Sequence, residues 1–477
     1  MSFENLSKEE LLARIPEGAP DKLKLNWNKP AKRWYYYLSN YKYSPEKKRG
    51  IDERTTVGYL GEDGKFHYTD RYLLLRKAYG ERKTLETKAK VQALRADISE
   101  KINDQRVPYL IAYPLDIIFT VCFLAALGGN TNCQGIAEYW KLHRKVLEDL
   151  FPDFPESDIS HDTIRRVFMI HNPKEFESLF KKYTQVFVDA FKTRIASCDG
   201  QMIRATKSAE QNKRGKYVVS LYDTDSGVSL TFELVGDKTN EIPVARTLIS
   251  QMDLSGCTVT ADALHGQYRI ANAIIDAGAN YCLGIKENQS KLRDTMELYL
   301  NSPSDAAKTF STTDKAHGRL EERTAVVLPG TYLPKSITSR WLGLEQGCIA
   351  MSIEKRTTLT TGETTEDRRY FATSIPWDLP NIAARVSHTI RRHWAIENEL
   401  HHVLDVNLVQ DAIQCKNASY LMNRLTLIKL ADNVHSKYRQ ILERDTGETI
   451  SKSGLLIRMS NPDSAIKCWM IVRDEYA

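Results

Sequence analysis

Residues Arg391–Val406 read RRHWAIENELHHVLDV, a run without Pro or Gly whose pattern predicts one helix. On a regular helix Glu397 shares a face with His393 and His401, four residues to either side, and with Trp394 and Leu400, three residues to either side. A carboxylate set among rings and aliphatic groups is costly to bury unless a positive group meets it. A metal ion, an Arg or a protonated His would serve, and a plain surface ion pair is the competing reading.

Two other stretches supply partners of the right kind. RIASCDGQMIR ends an apolar run at Asp199, and CTVTADALHGQ ends one at Asp262, with His265 and Gln267 just beyond. An Asp where a buried strand gives way to a loop is held by the strand and opened to ligand by the loop. Two such Asp and one helical Glu make an all-oxygen site, which suits hard divalent ions such as Mg²⁺ or Mn²⁺. Two such ions clamp the attacking and leaving oxygens of an in-line phosphoryl transfer.

The chain between these points changes period in an informative order. RIASC, KYVVSLYD and SLTFELVGD are β-branched strand candidates. IPVARTLISQM, with Pro243 early, reads as a helix, CTVTADA as a strand, YRIANAIIDAG as a helix ended by Gly278, and YCLGI as a strand. Three strands, then helix, strand, helix, strand is the order of a ribonuclease-H-like sheet. There the first and fourth strands are neighbours, so Asp199 and Asp262 would meet. GRLEERTAVVL, CIAMSIEKRTT and RRYFATSI predict a β insertion between the second Asp and the Glu. The expected fold is therefore α/β, with a ribonuclease-H-like catalytic core interrupted by strands and preceded by a helical N-terminal region. The expected segments are 1–106, 107–192 (helical), 193–285 (core, first part), 286–378 (β insertion), 379–445 (core, second part) and 446–477 (tail).

The helical region carries Leu115–Leu127 as a core helix and SHDTIRRVF, where Ser160 is placed to cap a helix bearing Arg165 and Arg166. Such a helix is a candidate helix-turn-helix reader of DNA, set against an ordinary bundle with exposed Arg. The first fifty residues hold eleven Lys/Arg and six Asp/Glu, 11 − 6 = +5, interleaved with Trp27, Trp34, Tyr35, Tyr36, Tyr37, Tyr41 and Tyr43. That mixture suits phosphate contact and base stacking, or else a small domain that packs its aromatics inward.

Composition narrows the class. The 477 residues carry 67 − 61 = +6 formal charges, so DNA binding rests on local patches. The eight Cys form no CxxC pair, which argues against a zinc ribbon or a disulfide framework and for a reducing cytoplasm. The first residues, MSFENLSKEELLARIPEG, lack the apolar stretch of a signal peptide, and the longest apolar run, Ile117–Leu127, is too short to span a bilayer.

Eight motifs in order resemble the H-repeat-associated transposases of bacterial insertion sequences (the ISAs family of DDE transposases). They are SHDTIRRVF, CDG, KTNEIP, TADALHGQ, IKENQ, HGRLEER, RRYFATSI and HWAIENELHHVLDV, spread between about Tyr109 and Tyr438. The resemblance implies that Asp199, Asp262 and Glu397 form the metal-binding catalytic triad, with two Mg²⁺ or Mn²⁺ ions. It implies double-stranded DNA as substrate, a homodimer that pairs two element ends, and a nucleoid-associated cytoplasmic protein. DNA-contact candidates are Arg165, Arg166, Lys238, Lys286, Asn288, Gln289, His317, Arg319, Arg323, Arg391 and Arg392. Supporting candidates are His265, Gln267, His393, Trp394, Asn398 and His401. Three positions depart from the family pattern: Gln201 replaces a lysine after DG, His402 replaces a Trp, and Gln410 replaces a Glu before Asp411. These departures point to the alternative of a domesticated, inactive DNA-binding descendant. A zinc hydrolase built on His393, Glu397 and His401 is disfavoured, because HxxxExxxH is not the HExxH spacing.

Overall fold

The computed structural model describes residues 6–16, 20, 22–44, 49–187, 194–207, 215–236, 240–302, 305–316 and 318–476. These fall into two units, Met1–Lys90 and Val91–Ala477. The expected segment 1–106 spans that division, and the expected segments from 107 onward all lie in the second unit.

In the first unit a short helix, α1 (Lys8–Leu12), precedes four antiparallel strands in sequential order: β1 (Lys24–Asn28), β2 (Arg33–Ser44), β3 (Arg49–Leu60) and β4 (Phe66–Tyr68). The period-2 pattern sends Tyr36 into a small core with Leu11, Leu23, Val57 and Leu60. Helix α2 (Asp70–Lys101) follows.

That helix runs across the division at Lys90, and the second unit continues with helices α3 (Leu115–Leu127), α4 (Cys133–Leu142), α5 (Arg144–Leu150), α6 (His161–Ile170) and α7 (Pro173–Phe187). Every residue of α3 except Asp116 is buried, as its unbroken apolar run requires. Ser160 caps α6 by accepting the Thr163 N–H.

A nine-stranded mixed sheet then begins with β5 (Ile195–Ile203), β6 (Lys216–Asp223) and β7 (Val228–Leu234). Next come α8 (Glu241–Ser250), β8 (Thr258–Ala261), α9 (Tyr268–Asp276), β9 (Asn280–Ile285) and α10 (Ser290–Asn301). Strands β10 (Lys308–Ala316) and β11 (Arg319–Pro329), the short α11 (Lys335–Thr338), and strands β12 (Cys348–Thr358) and β13 (Thr364–Thr373) follow. The spatial order is β10-β11-β12-β13-β9-β8-β5-β6-β7. Strand β5 lies between antiparallel β6 and parallel β8, and β9 is parallel to β8. Strands β10–β13 extend this same sheet, because β13 pairs antiparallel with β9 from Tyr370↔Ile285 to Thr373↔Cys282.

The chain closes with α12 (Ile382–His393), a π-helical turn (Ile396–His401), α13 (His402–Val406), α14 (Ala418–Thr446), α15 (Lys452–Arg458) and α16 (Pro462–Tyr476). The segment 446–477, which carried no signal in the sequence, is thus largely helical. Helix α14 is buried all round from Tyr420 to His435, which needs its polar groups paired. Asn423 Nδ2 donates to the Phe168 and His171 carbonyls, and Asn433 exchanges hydrogen bonds with the Ser229 backbone. One helix therefore joins the helical region to the sheet.

Two expectations need correction. Asp199 does not end its strand: β5 runs on to Ile203 beside β6, and only the parallel pairing stops there, at Cys198↔Ala261. Residues Arg391–Val406 are also not one regular helix. The His402 N–H reaches back to the Glu397 carbonyl, an i→i+5 bond, so the turn holds an extra residue. That parts Glu397 from Leu400 and His401, which turn inward while Glu397 is exposed; His393 and Trp394 line the same cleft as Glu397.

Backbone contact sets the spacing behind Asp262. A Cβ on Gly266 would lie 1.9 Å from the Gly284 carbonyl oxygen, so the loop after β8 rests directly on β9. Gly266→Ala is expected to cost about 1–3 kcal/mol, read as a lower melting temperature. A wild-type melting curve would show that this contact is dispensable.

Candidate active site

The parallel pairing of β5 with β8 ends one residue before each Asp, so Asp199 and Asp262 emerge side by side. Ligand atoms of Asp199, Asp262 and His265 all lie within 4.8 Å of one another, a group able to hold a metal ion. His265 is wholly buried; its Nδ1 stands 2.8 Å from Asp262 Oδ1, and its backbone N–H donates to the same oxygen at 3.2 Å. Its other ring nitrogen, Nε2, is buried without a hydrogen-bond partner.

The two Asp are pushed apart in acidity. Burial, then the neighbouring Asp262 charge, raises Asp199 to about 7, and Glu397 adds to the push. Asp262 is also penalised by burial, but hydrogen bonds and charge from His265 outweigh that and hold it below the usual carboxylate range. Glu241, at the start of α8, is a further acid, raised by burial and by Asp262. Its carboxylate occupies the space a Cβ on Gly200 would take, which gives the Gly of CDG a local reason.

His401 Nδ1 lies 3.7 Å from Asp199 Oδ2, and His393 Nδ1 lies 3.1 Å from Thr260 Oγ1. Burial lowers them to about 3 and about 4, so both rings are neutral near pH 7. Buried Lys429 donates to Ser220 Oγ at 3.0 Å, and Ser220 is the cross-strand partner of Asp199. Burial lowers that ammonium to about 7.

A cleft of about 950 Å³ opens from Asp262, floored by the extended sheet and walled by α12. Glu397 lines it but stands outside the three-residue group. Lys286, Arg293, Arg323, Arg368, Arg369 and Arg391 supply its cations. The Arg369 guanidinium stacks over the Trp394 ring at 4.8 Å. Arg323 is engaged by Asp314, Glu321 and Glu354.

Other expected contact residues sit elsewhere. Arg392 bonds the Thr224 carbonyl and pairs with Glu399 at 3.2 Å, away from the cleft. Arg165 and Arg166 are exposed on α6, where Arg165 pairs with Asp162 at 3.1 Å. Arg319 is exposed at the start of β11, and Asn398 is exposed on the π-helical turn. Asn288 donates to the Ala263 carbonyl at 2.7 Å, tying its loop to the one that carries Asp262. The Gln289 N–H donates to the Lys286 carbonyl, and the Gln267 N–H to the His265 carbonyl. Lys238 and His317 lie outside the described residues. Glu241, Arg369 and Lys429 were missed as site residues. The first two stand inside the motifs KTNEIP and RRYFATSI, and the third shows only as a lone Lys in an apolar run.

Gln201 and Gln410 prove to be partners: Gln410 Nε2 donates to Gln201 Oε1 at 2.9 Å. They join β5, two residues after Asp199, to the turn that follows α13. Val409, just before Gln410, is held at φ 54, a strained setting for a β-branched residue. Two departures that read as separate losses thus meet in one contact.

Gln410→Glu alone should lower the melting temperature, because it adds a carboxylate beside Asp405 and Asp411, whose mutual repulsion already helps burial raise Asp405 to about 6. Adding Gln201→Lys should recover the loss, with a coupling of about 0.5–3 kcal/mol in a double-mutant cycle. Additive effects would show the pair to be uncoupled. In the metal-free protein Asp199 contributes stability that is lost as pH rises from about 4 to about 7, against the opposite contribution of His393 and His401. In that window the native Asp199 holds a proton that the unfolded chain has released. Asp262, shifted the other way, contributes only below that window. Asp199→Asn should remove that contribution and make the slope of melting temperature against pH more positive; an unchanged slope would refute it.

Comparison with known proteins accords with this geometry. Residues 181–433 match the family described as "Transposase DDE domain", and residues 97–184 match "DDE_Tnp_1-associated". The chain is 31% identical over 311 residues to "Putative transposase YncI" of Escherichia coli O157:H7, covering 64% of this chain and 77% of that protein. It is 27% identical over 320 residues to "H repeat-associated putative transposase YhhI" of Escherichia coli (strain K12), covering 66% and 82%. A solved piggyBac transposase synaptic complex with hairpin DNA aligns over 82% of this chain and 80% of its own at 10% identity, with a TM-score of 0.37. Members of the matched family cut and join DNA with the help of divalent metal ions. The chain belongs to the DDE transposases, in the H-repeat-associated group, and its function is DNA transposition by metal-dependent cleavage and strand transfer.

Proposed function

We propose that Asp199, Asp262 and Glu397 are the catalytic carboxylates that act on the ends of an insertion sequence. The observation that carries this reading is the side-by-side emergence of Asp199 and Asp262 from the parallel strands, with burial holding Asp199 near 7. Like charges forced together in a half-buried site fit a divalent cation, whose charge would offset both the repulsion and the burial. Their oxygen donors suit Mg²⁺ or Mn²⁺, two ions per site. Such ions, when bound, supply an activated oxygen nucleophile and neutralise charge on the leaving oxygen.

The chain's own groups do the positioning. His265 fixes the orientation of Asp262 and keeps it ionised. His393 and His401, neutral and buried, pack behind the carboxylates without adding charge. Lys286, Arg293, Arg368, Arg369 and Arg391 present guanidinium and ammonium donors to the phosphates of a duplex lying in the cleft. The strand order β7-β6-β5-β8-β9, with the first and fourth strands parallel neighbours, supports a ribonuclease-H-like core. Strands β10–β13, inserted before Glu397, then form the cleft's floor. The helical region with Arg165 and Arg166 serves as a second DNA contact. Two copies act on paired ends in the cytoplasm, since both ends must be held at once; no described helix is long and apolar enough to cross a membrane.

Asp199→Asn, Asp262→Asn and Glu397→Gln should each reduce strand cleavage of labelled duplex in Mg²⁺ or Mn²⁺ by a hundredfold or more, in line with the ~10²–10³-fold loss typical when one group that stabilises transition-state charge is removed, while leaving duplex binding largely intact. Calorimetry should show weaker Mn²⁺ binding in the Asp variants. Cleavage at the wild-type rate by any one variant would remove that residue from the triad.

A further inference from the structure

The nine-stranded sheet ends differently on its two sides. Strand β7, at one edge, is buried along most of its length, with α7, α8 and α14 packed against it. Strand β10 is the other edge, and every residue from Lys308 to Lys315 is exposed. Among the described residues only β11 pairs with it, so alternate N–H and C=O groups of β10 turn outward. Phe310, Thr312 and Asp314 line the cleft, and Thr309, Ser311 and Thr313 face the other way.

Open edges are usually blunted by Pro, by a bulge or by charge. The stretch Thr309–Thr313, TFSTT, has no Pro and no charge, and it pairs with β11 without a register shift. Its Thr and Phe residues favour extended backbone. The strand is also self-complementary. Two copies laid antiparallel about Ser311 set Lys308 opposite Asp314, Thr309 opposite Thr313 and Phe310 opposite Thr312. Of the two neighbouring registers, one opposes Lys308 to Lys315, and the other leaves Lys308 and Asp314 without an opposite charge. Lys308 Nζ lies over the Trp377 ring at 4.0 Å, and Asp314 is bonded to Arg323. Both keep those partners, because backbone groups make the strand pairing.

We propose that β10 is a dimer edge, on which the β10 of a second copy of this chain pairs antiparallel about Ser311. The two sheets then run on as one. The two-fold axis of an antiparallel strand pair stands perpendicular to the sheet, so both clefts open on the same face. Phe310, an exposed apolar side chain at the cleft, is covered by the partner's Thr312. A strand pair of this length is a small interface, so the dimer dissociates on dilution. The inference rests on the reading that two copies act together, and it names the surface that joins them.

The test is cross-linking and sedimentation velocity of the full-length protein, with and without a labelled duplex. Ser311→Cys, a near-isosteric change, should form a disulfide between copies when copper-phenanthroline and oxygen take up the thiol electrons. Facing residues in either kind of antiparallel pair lie within disulfide reach. Lys315→Cys, far from its own copy in this register, should not cross-link, nor should the wild type, whose Cys are buried apart from the half-buried Cys415. Thr309→Lys with Thr313→Lys sets like charges against each other at two places and should raise the dimer dissociation constant by about tenfold. Thr309→Glu with Thr313→Lys sets unlike charges there and should restore the dimer. A wild-type protein that stays monomeric up to about 100 µM with and without duplex would overturn the inference. So would a Ser311→Cys variant that does not cross-link, or two charge variants that behave alike. Metal-dependent cleavage, measured alongside, tests the catalytic reading separately. Cross-linking without cleavage sinks only that reading, and cleavage without cross-linking sinks only the dimer edge.

Discussion

The parallel register of β5 and β8 places two carboxylates next to each other in a half-buried setting, and much of the surrounding structure answers to that. Like charges at such a distance repel, and burial weakens the water that would screen them. The protein meets the strain unevenly. Asp262 receives both the ring and the backbone N–H of His265 and stays ionised. Asp199 receives no such pair and is pushed towards neutrality. One carboxylate is thus held ionised and the other poised between its charged and neutral forms.

Holding that arrangement needs a rigid back. The loop of Asp262 rests on β9 through Gly266 and is clamped from the far side by Asn288. Behind Asp199, Ser220 and Lys429 connect the sheet to α14, and α14 connects onward to α3, α6 and α7 through its buried amides and through His435, whose Nε2 meets the Leu127 carbonyl. A buried polar helix costs stability unless every group is paired, and these pairings make the helical region and the sheet one body. The helical segment is therefore structural support for the site, whatever it contacts in addition.

Strands β10–β13 have a similar double use. They lengthen the sheet beyond β9 and form the floor of the cleft, while α12 packs across them through Ile382, Val386 and Ile390. That packing sets Arg391 and Trp394 at the cleft wall and sends Arg392 away from it. The π-helical turn after α12 then exposes Glu397 at the cleft while His401 turns in toward Asp199. One extra residue in a turn thus separates the exposed Glu397 carboxylate from the inward-turned His401 ring.

Much of this was legible in the residues. The order of strand and helix patterns from RIASC to YCLGI, each with its own period, specified which strands are neighbours, because short right-handed connections leave few alternatives. It also put Asp199 and Asp262 beside each other, and the apolar run of α3 announced a buried helix. Tertiary structure alone decided the rest. That β10–β13 join the main sheet follows from pairing between β13 and β9, residues about ninety apart, which no local pattern records. The π-helical turn interrupts a run whose residues read as one regular helix, and it leaves Leu400 buried and Glu397 exposed. The pairing of Gln201 with Gln410 joins positions far apart in the chain, so each reads alone as a lost charge. Local periodicity fixes which elements form, and contacts between distant elements fix which side chains meet.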